Sequence, residues 1–335
     1  MSAAFLSVDR ATKIFRPRVS LGERIAARFG APVETRPVHA VDRVSLTIER
    51  GETLGLVGES GCGKSTLGRM ISGIYSPTSG VVRLDGQPVM RGGREPQKVT
   101  TRVQTIFQDP FSSLDPRMRI GDTIAEGPIS HGLTTRAGAV AYAREWLATV
   151  GLDPDFATRY PHQFSGGQRQ RVAIARALAM KPDLIVCDEP VASLDVSIQA
   201  QIINLFLRLR RDLGLTMLFI SHDIGVVRHV SDRIAIMYLG RVVEIGPADV
   251  ISTSPKHPYA QALLNSVPKL VLHDDALVEF KPIAGELPSP LSPPSGCHFH
   301  ARCPHAMEIC RRTAPLLKSY GVGAAACHLV EMDEG

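Results

Sequence analysis

Gly58, Gly63, Lys64 and Ser65 stand in the spacing G-x-x-x-x-G-K-S within the run Gly58-Glu59-Ser60-Gly61-Cys62-Gly63-Lys64-Ser65-Thr66. Glycines so placed let a backbone wrap closely around a polyphosphate with successive N–H groups turned inward, and a helix beginning near Lys64 adds its positive N-terminal end. Lys64 would neutralise the β- and γ-phosphates, and the Ser65 hydroxyl would meet magnesium. Magnesium prefers oxygen ligands and keeps several waters, so one further carboxylate is expected elsewhere in the chain. Asp188 is that carboxylate. It closes Leu184-Ile185-Val186-Cys187, an apolar run that reads as a buried parallel strand and sets the acid at the carboxyl edge of a sheet. The two-residue alternation of a strand sends the next residue, Glu189, to the opposite face. A glutamate at that edge can accept a proton from an attacking water; the plainer alternative is a solvated charge at a strand end.

The elements that must hold these groups are legible around them. Thr53-Leu54-Gly55-Leu56-Val57 is a strand feeding the glycine loop, and residues 80–86 read as a further strand and turn. Residues 110–178 carry helical patterns, including 137–150 with Trp146. Beyond them, apolar strands at 184–188 and 216–220 alternate with a helix over 197–213, which argues for a parallel sheet. Inside the helical part, Ser165-Gly166-Gly167-Gln168 precedes the small and apolar run Val172-Ala173-Ile174-Ala175-Arg176-Ala177-Leu178. With Ser165 as N-cap, that helix start is a second anion site. One chain needs only one γ-phosphate pocket, so a second copy of the fold must bring the nucleotide that this site would meet.

With 335 residues the chain is long enough for about two domains, and a hydrophobic fraction of 44% suits a well-buried core. No apolar run approaches the roughly eighteen residues of a membrane span. The start, Met1-Ser2-Ala3-Ala4-Phe5-Leu6, lacks a charged region and a cleavage site, so a cytosolic location is expected. The net charge of +5, from 38 basic and 33 acidic residues, is interspersed and gives no strong reason to expect nucleic acid. One exception is residues 16–36, where Leu21, Ile25 and Phe29 fall at i, i+4 and i+8 with Arg24 and Arg28 on another face. That is either a surface insertion over its own domain or a short basic helix near lipid or a membrane partner.

The six cysteines form two sets. Cys62 and Cys187 lie inside the phosphate-binding motifs and read as small buried apolar groups. Cys297, Cys303, Cys310 and Cys327 crowd the end of the chain, flanked by His298, His300, His305 and His328. In a reducing cytosol, four clustered thiols point to a metal site, although the absence of a C-x-x-C pair weakens a zinc-ribbon reading. The domains expected are a nucleotide unit over 1–265, with its helical subdomain at about 110–178, and a region over 266–335. That second region is a linker rich in proline (Pro268, Pro282, Pro288, Pro290, Pro293, Pro294) leading to the cysteine-rich tail.

In this order and company, the Ser-Gly-Gly-Gln segment resembles the signature of the ATP-binding cassette family. Gln108, in Phe107-Gln108-Asp109-Pro110, matches that family's magnesium- and water-sensing glutamine, Ser193-Leu194-Asp195 its seam-crossing loop, and His222 its switch histidine. His222 follows the apolar run Leu218-Phe219-Ile220-Ser221 and should emerge at the nucleotide edge. The family's adenine-stacking aromatic lies upstream of the phosphate loop; Phe15 and His39 both qualify, and Phe15 is preferred.

The resemblance narrows to the ATP-binding subunits of oligopeptide and dipeptide ABC importers, and among these to the second of their two unequal ATPases. It rests on residues 107–118, on Asp195-Val196-Ser197-Ile198-Gln199-Ala200-Gln201, on His257-Pro258-Tyr259 and on the cysteine tail.

It implies an α/β fold, a P-loop cassette with a parallel-sheet core, a helical subdomain and a small cysteine-rich tail. It also implies ATP and Mg2+ as cofactors, Ser65, Gln108 and Asp188 as magnesium ligands, and Glu189, His222 and Gln108 as catalytic residues. The partners implied are a second, similar ATPase in a heterodimer, two membrane permeases and, indirectly, an extracytoplasmic substrate-binding protein, with the chain peripheral on the cytoplasmic face of the inner membrane. In relatives with this tail the four cysteines carry a 4Fe–4S cluster, for which zinc or free structural thiols without metal are the alternatives here. The rival functions are a soluble cassette ATPase acting on nucleic acid or the ribosome, and the same transporter type carrying nickel, glutathione or cationic peptides.

Overall fold

The computed structural model describes residues 4–17, 36–91, 97–109, 113–266, 283 and 285–333. The amphipathic reading of residues 16–36 therefore falls almost wholly outside the described residues, as do Pro110, Phe111 and Ser112 of the glutamine segment, and Pro268 and Pro282.

The strands of the described residues form two main sheets and one short ladder. The first is antiparallel, built from β1 (Leu6–Phe15), β2 (Val38–Ile48), β4 (Ser79–Leu84) and β5 (Gln87–Pro88) in the order β2-β1-β4-β5. A short ladder of β6 (Met90–Arg91) and β7 (Gln97–Lys98) follows it. The second sheet has eight strands. Its centre is parallel: β3 (Thr53–Val57), β8 (Val103–Ile106), β9 (Leu184–Asp188), β10 (Thr216–Ser221) and β11 (Arg233–Tyr238), in the order β11-β3-β10-β9-β8. Every residue of β3, β9 and β10 is buried, as strands covered on both faces must be. Three antiparallel strands extend this centre: β12 (Arg241–Pro247), β13 (Lys318–Tyr320) and β14 (Gly323–Ala325), in the order β13-β14-β12-β11. The expected parallel core is thus the middle of a mixed sheet.

Helices cover both faces. α1 (Lys64–Ile71) buries Leu67, Met70 and Ile71 in the layer it shares with the antiparallel sheet. The helical subdomain holds α2 (Ile120–Ser130), α3 (Ala139–Thr149) and α4 (Gly166–Ala179). α5 (Val196–Leu213) turns Ile202, Phe206 and Leu209 inward and stops at Gly214, whose left-handed φ of 63° favours glycine. α6 (Ile224–Val230), α7 (Ala248–Thr253) and α8 (Pro258–Asn265) complete the sheet cover, and α9 (Glu308–Arg312) and α10 (His328–Asp333) belong to the tail.

The tail packs onto the edge of the larger sheet. β14 pairs with β12 at Glu244↔Ala325 and Ile245↔Ala324, and Ala326 N–H donates to the Val243 carbonyl at 2.8 Å. Glu244, fully buried, accepts from the backbone N–H groups of Lys256 and His257 at 2.8 Å each and from the Tyr320 hydroxyl. One carboxylate therefore ties β12, the start of α8 and the tail together, and its burial raises its pKa despite those donors.

Candidate functional site

The segment 58–63 leaves the end of β3 and enters α1 within one tight loop. A Cβ on Gly58 would lie 2.1 Å from the Met237 carbonyl oxygen, and one on Gly63, at φ 107°, would lie 2.1 Å from the Ala40 carbonyl oxygen. Backbone approaches this close admit only glycine. The loop is stitched by Cys62 N–H to the Glu59 carbonyl at 3.3 Å and by Gly240 N–H to the Cys62 carbonyl at 2.8 Å. Lys64 folds back over it, its ammonium donating to the carbonyls of Gly58 at 2.7 Å and Glu59 at 3.0 Å. Burial pushes the Cys62 thiol up, so it packs as an apolar group.

Two further elements bring their side chains to the same place. The Ser65 hydroxyl donates to Asp188 Oδ1 at 2.7 Å, so the first turn of α1 and the end of β9 share a pair of hard oxygen donors. Burial raises the Asp188 pKa, while the Ser65 hydroxyl and the charges of Arg69 and Lys64 oppose that rise. A hydroxyl beside a carboxylate at the carboxyl edge of a sheet suits an octahedral cation that keeps most of its waters.

Glu189 departs from the alternation read in the sequence. Instead of facing the far side of the sheet, it shares the site with Asp188: Gln108 Nε2 donates to its Oε2 at 3.1 Å, His222 Nδ1 stands 3.4 Å from the same oxygen, and Lys64 Nζ is 4.0 Å from Oε1. The physical reason is local. β9 ends at Asp188, and Glu189 adopts a left-handed φ of 49° with its N–H on the Ile220 carbonyl, which reverses the direction its side chain would otherwise take. Gln108 follows β8 and His222 follows β10, so the carboxyl ends of three adjacent strands and Lys64 of the glycine loop converge on one carboxylate. His222 is 57% exposed and Glu189 only 14%.

The Ser165-Gly166-Gly167-Gln168 segment sits apart from this cluster. Ser165 caps α4 by accepting from the Gln168 N–H at 3.3 Å, and Gln168 returns its side-chain oxygen to the Ser165 N–H at 3.0 Å, a reciprocal box. Gln168 is thereby occupied, and the amides of Gly166 and Gly167 head the helix. A Cβ on Gly167 would meet Ile198 at 2.5 Å and one on Gly166 would meet Leu194 at 3.7 Å, so the 193–195 loop and the start of α5 pack directly on the signature. Asp195 precedes α5 with no side-chain cap bond and is exposed, as is Val196 at 83%. Among the described residues no hydrogen bond joins 165–168 to the 58–66 loop of the same chain.

Phe15 ends β1 edge-on to Tyr75, with ring centroids 5.4 Å apart and the Lys13 ammonium 5.3 Å from its own ring. His39 donates its N–H to the Pro290 carbonyl at 3.0 Å, and its neighbour Ala40 touches Gly63.

Cys297, Cys303, Cys310 and Cys327 are free thiols lining one small enclosed cavity. Burial raises Cys297 to about 11 and also raises Cys303 and Cys327, with neighbouring thiols of the set adding to each rise. Of the flanking imidazoles, His300 Nδ1 pairs with the Cys297 carbonyl, His328 Nε2 with that of Thr313, and His298 Nδ1 with that of Leu239. Among the described residues no group of three or more His, Cys, Asp or Glu side chains is arranged to hold a metal ion, so neither the 4Fe–4S reading nor its zinc alternative has a formed site.

Three further residues belong to this region, of which the sequence reading named only Tyr259, as part of the family-bearing His257-Pro258-Tyr259 run and with no role. Tyr259 accepts from the Glu59 N–H at 2.9 Å. Arg302 holds the Glu59 carboxylate with both nitrogens of its fork, at 2.8 and 3.1 Å. Arg69 lies close enough to Asp188 to oppose the rise that burial gives its pKa. The only sequence signal was Glu59 itself, an acid in a loop built for anions and therefore in need of a cation.

Residues 41–192 match the family described as ABC transporter, and residues 243–310 match the family described as oligopeptide/dipeptide transporter, C-terminal region. The chain is 50% identical over 295 residues to the oligopeptide transport ATP-binding protein AppF of Bacillus subtilis, covering 87% of this chain and 90% of that one. The chain belongs to the ABC transporter family. It is also 45% identical over 317 residues to the dipeptide transport ATP-binding protein DppF of Escherichia coli, covering 94% of each. Among solved structures, the ATP-binding cassette MJ0796 in a dimeric post-hydrolysis state with ADP and Pi superposes with a TM-score of 0.60 at 28% identity, over 72% of this chain and 98% of that one. As an ABC ATPase, the chain binds ATP with Mg2+ and hydrolyses it. No helix among the described residues is long and apolar enough to cross a membrane.

Proposed function

We propose that this chain is the ATP-hydrolysing subunit of a peptide importer, working at the cytoplasmic face of the inner membrane beneath two permeases that an extracytoplasmic binding protein supplies. The observation that carries the reading is the joining, in one chain, of the Gln108–Glu189–His222 cluster beside Lys64 to a tail matching the oligopeptide/dipeptide transporter region. Full-length likeness to AppF and DppF supports peptides as cargo, and disfavours action on nucleic acid or the ribosome.

The N–H groups of 58–63 and the Lys64 ammonium hold the phosphates; Ser65 and Asp188, with Gln108, would hold magnesium, which would screen phosphate charge. Glu189 takes the proton of the attacking water, Gln108 fixes the carboxylate that does so, and His222 reads the γ-phosphate from the next strand. Phe15 is the aromatic assigned to adenine. Ser165, Gly166 and Gly167 face nucleotide held by a second, similar ATPase, and Asp195 lies at the seam; the exposed Val196 and the distance in bonding between the two halves of the site support that division. ATP favours the closed pair because only there does it touch both halves.

The four tail thiols fit a 4Fe–4S cluster in donor type and number, and all line one cavity. Held there, a cluster would cross-link the tail. Visible absorption bleached by dithionite supports this assignment, and a colourless anaerobic preparation without iron rejects it. Uptake of labelled di- and oligopeptides in cells lacking the chain tests the function as a whole: loss of peptide uptake is expected. Intact peptide uptake with loss of nickel, glutathione or cationic-peptide uptake moves the cargo to that class.

A further inference from the structure

We propose that the C-terminal tail positions the phosphate loop, with Arg302 as the positioning residue for ATP binding. The inference rests on reading residues 58–66 as the phosphate loop. Three connections run from residues 298–302 to that loop, each by a different route.

The first is ionic. Arg302 lies 243 positions from Glu59, yet grips its carboxylate bidentately at 2.8 and 3.1 Å while its side chain is only 6% exposed. The guanidinium also lies 5.9 Å from the Tyr238 ring centroid, and the Tyr238 hydroxyl accepts from it at 3.5 Å. A planar fork held at two oxygens and against a ring fixes the orientation of the carboxylate as well as its charge. That matters because Glu59 occupies the second position of a loop that must receive a polyphosphate. Left unpaired, its charge would repel the ligand; swung inward, its side chain would occupy the ligand's place. The Glu59 carbonyl in turn accepts from Lys64, so a shift at residue 59 displaces the ammonium as well.

The second connection is aromatic. Phe299 packs on Tyr238 and Tyr259, with centroids 5.2 and 5.3 Å away, and the Tyr259 hydroxyl accepts from the Glu59 N–H. The third runs through backbone. His298 Nδ1 pairs with the Leu239 carbonyl at 3.0 Å, and the next residue, Gly240, donates to the Cys62 carbonyl at 2.8 Å. Leu239 takes a left-handed φ of 40°, a costly conformation for a branched side chain that surrounding bonds must hold. Glu59 and Cys62, near either end of the loop, are thus fixed from one short tail segment, whose next residue is Cys303.

The test uses the full chain and a fluorescent ATP analogue, together with KM and kcat for ATP in the assembled transporter. Arg302→Gln should raise Kd and KM by about five- to a hundredfold, the usual range for coupling between two sites, with kcat little changed. Arg302→Lys, which keeps charge but loses the fork, should recover part of the affinity. Glu59→Gln with Arg302→Gln should cost no more than Arg302→Gln alone, since the arginine acts through that carboxylate. A folded Arg302→Gln protein with unchanged Kd and KM overturns the proposal. Should that variant not fold, Arg302→Lys, which keeps the charge and the carboxylate but loses the bidentate fork, carries the test. Unchanged ATP affinity in that variant overturns the proposal equally. Lys64→Ala separates the two readings: if it too binds ATP normally, the assignment of residues 58–66 fails, and if it does not, only the role of Arg302 does.

Discussion

Replacing Glu189 by glutamine leaves the shape of the site and removes the proton acceptor. Glutamine is nearly isosteric, and its amide can still meet Gln108, 3.1 Å away in the native chain, so the geometry around the first turn of α1 should survive. Loss of a general base costs about 10²–10⁴ in rate, or about 3–5 kcal/mol of barrier. The effect on binding has the opposite sign. Lys64 and Glu189 stand 4.0 Å apart with the lysine almost fully buried, and at an effective dielectric of about 20 that pair is worth up to about 4 kcal/mol. Neutralising Glu189 frees the ammonium for phosphate and removes a like charge beside it. The expected protein therefore binds Mg-ATP at least as tightly as the native one and releases phosphate at least a hundredfold more slowly. Single-turnover phosphate release alongside retention of labelled ATP separates the two effects. Phosphate release at the native rate, with ATP bound normally, would refute the assignment of Glu189 as base.

Other perturbations follow from the same geometry. Ser65→Ala removes the hydroxyl bonded to Asp188 and should raise the magnesium concentration needed for half-maximal hydrolysis, by about 1.5–3 kcal/mol in free energy for a bond to a charged group; a magnesium titration at fixed ATP measures it. Gly63→Ala places a methyl 2.1 Å from the Ala40 carbonyl at a φ that disfavours any side chain, so nucleotide binding should be lost while far-UV circular dichroism stays near native. Acid should loosen the start of α8. His257 is fully buried, accepts the Tyr259 N–H at Nδ1, and has its pKa lowered to about 3 by burial. Its neutral form therefore contributes stability that is complete above pH 6.5 and is lost as pH falls toward 3, at up to about 1.4 kcal/mol per pH unit. Glu244, whose pKa is raised, acts in the opposite sense within its own range above 4.5. His257→Asn keeps a capping oxygen but cannot titrate, so its melting temperature should fall less between pH 6.5 and 5 than that of the native chain; equal falls would remove His257 from the account.

The elements around the candidate site were largely legible because their signals are local. The glycine spacing, the strand before it and the apolar run ending in Asp188 each follow from a few consecutive residues, and β3, α1 and β9 lie where those runs stand. What escaped was whatever depended on a single dihedral or on distant pairing. Alternation misplaced Glu189 because a strand's period holds only while the strand continues, and this one stops at Asp188. β13 and β14 are three residues each, too short to show a period, and they join the sheet through β12 rather than through any pattern of their own. The prolines read as a linker carry no sign of where the tail packs, because Arg302, His298 and Phe299 join it to Glu59, Leu239 and Tyr238, partners far away in sequence.

Most directly at stake is the claim that ATP is held at a seam to which each of two cassettes gives half a pocket. The decisive measurement is the steady-state Mg-ATPase rate per chain, with mass determined by sedimentation under the same conditions, alone and with its ATPase and permease partners. The account predicts little hydrolysis from a monomer, a rise on assembly, and loss of that rise when Ser165 is replaced by arginine. A strictly monomeric chain hydrolysing ATP at the full rate of the assembled transporter, with or without Ser165, would contradict it.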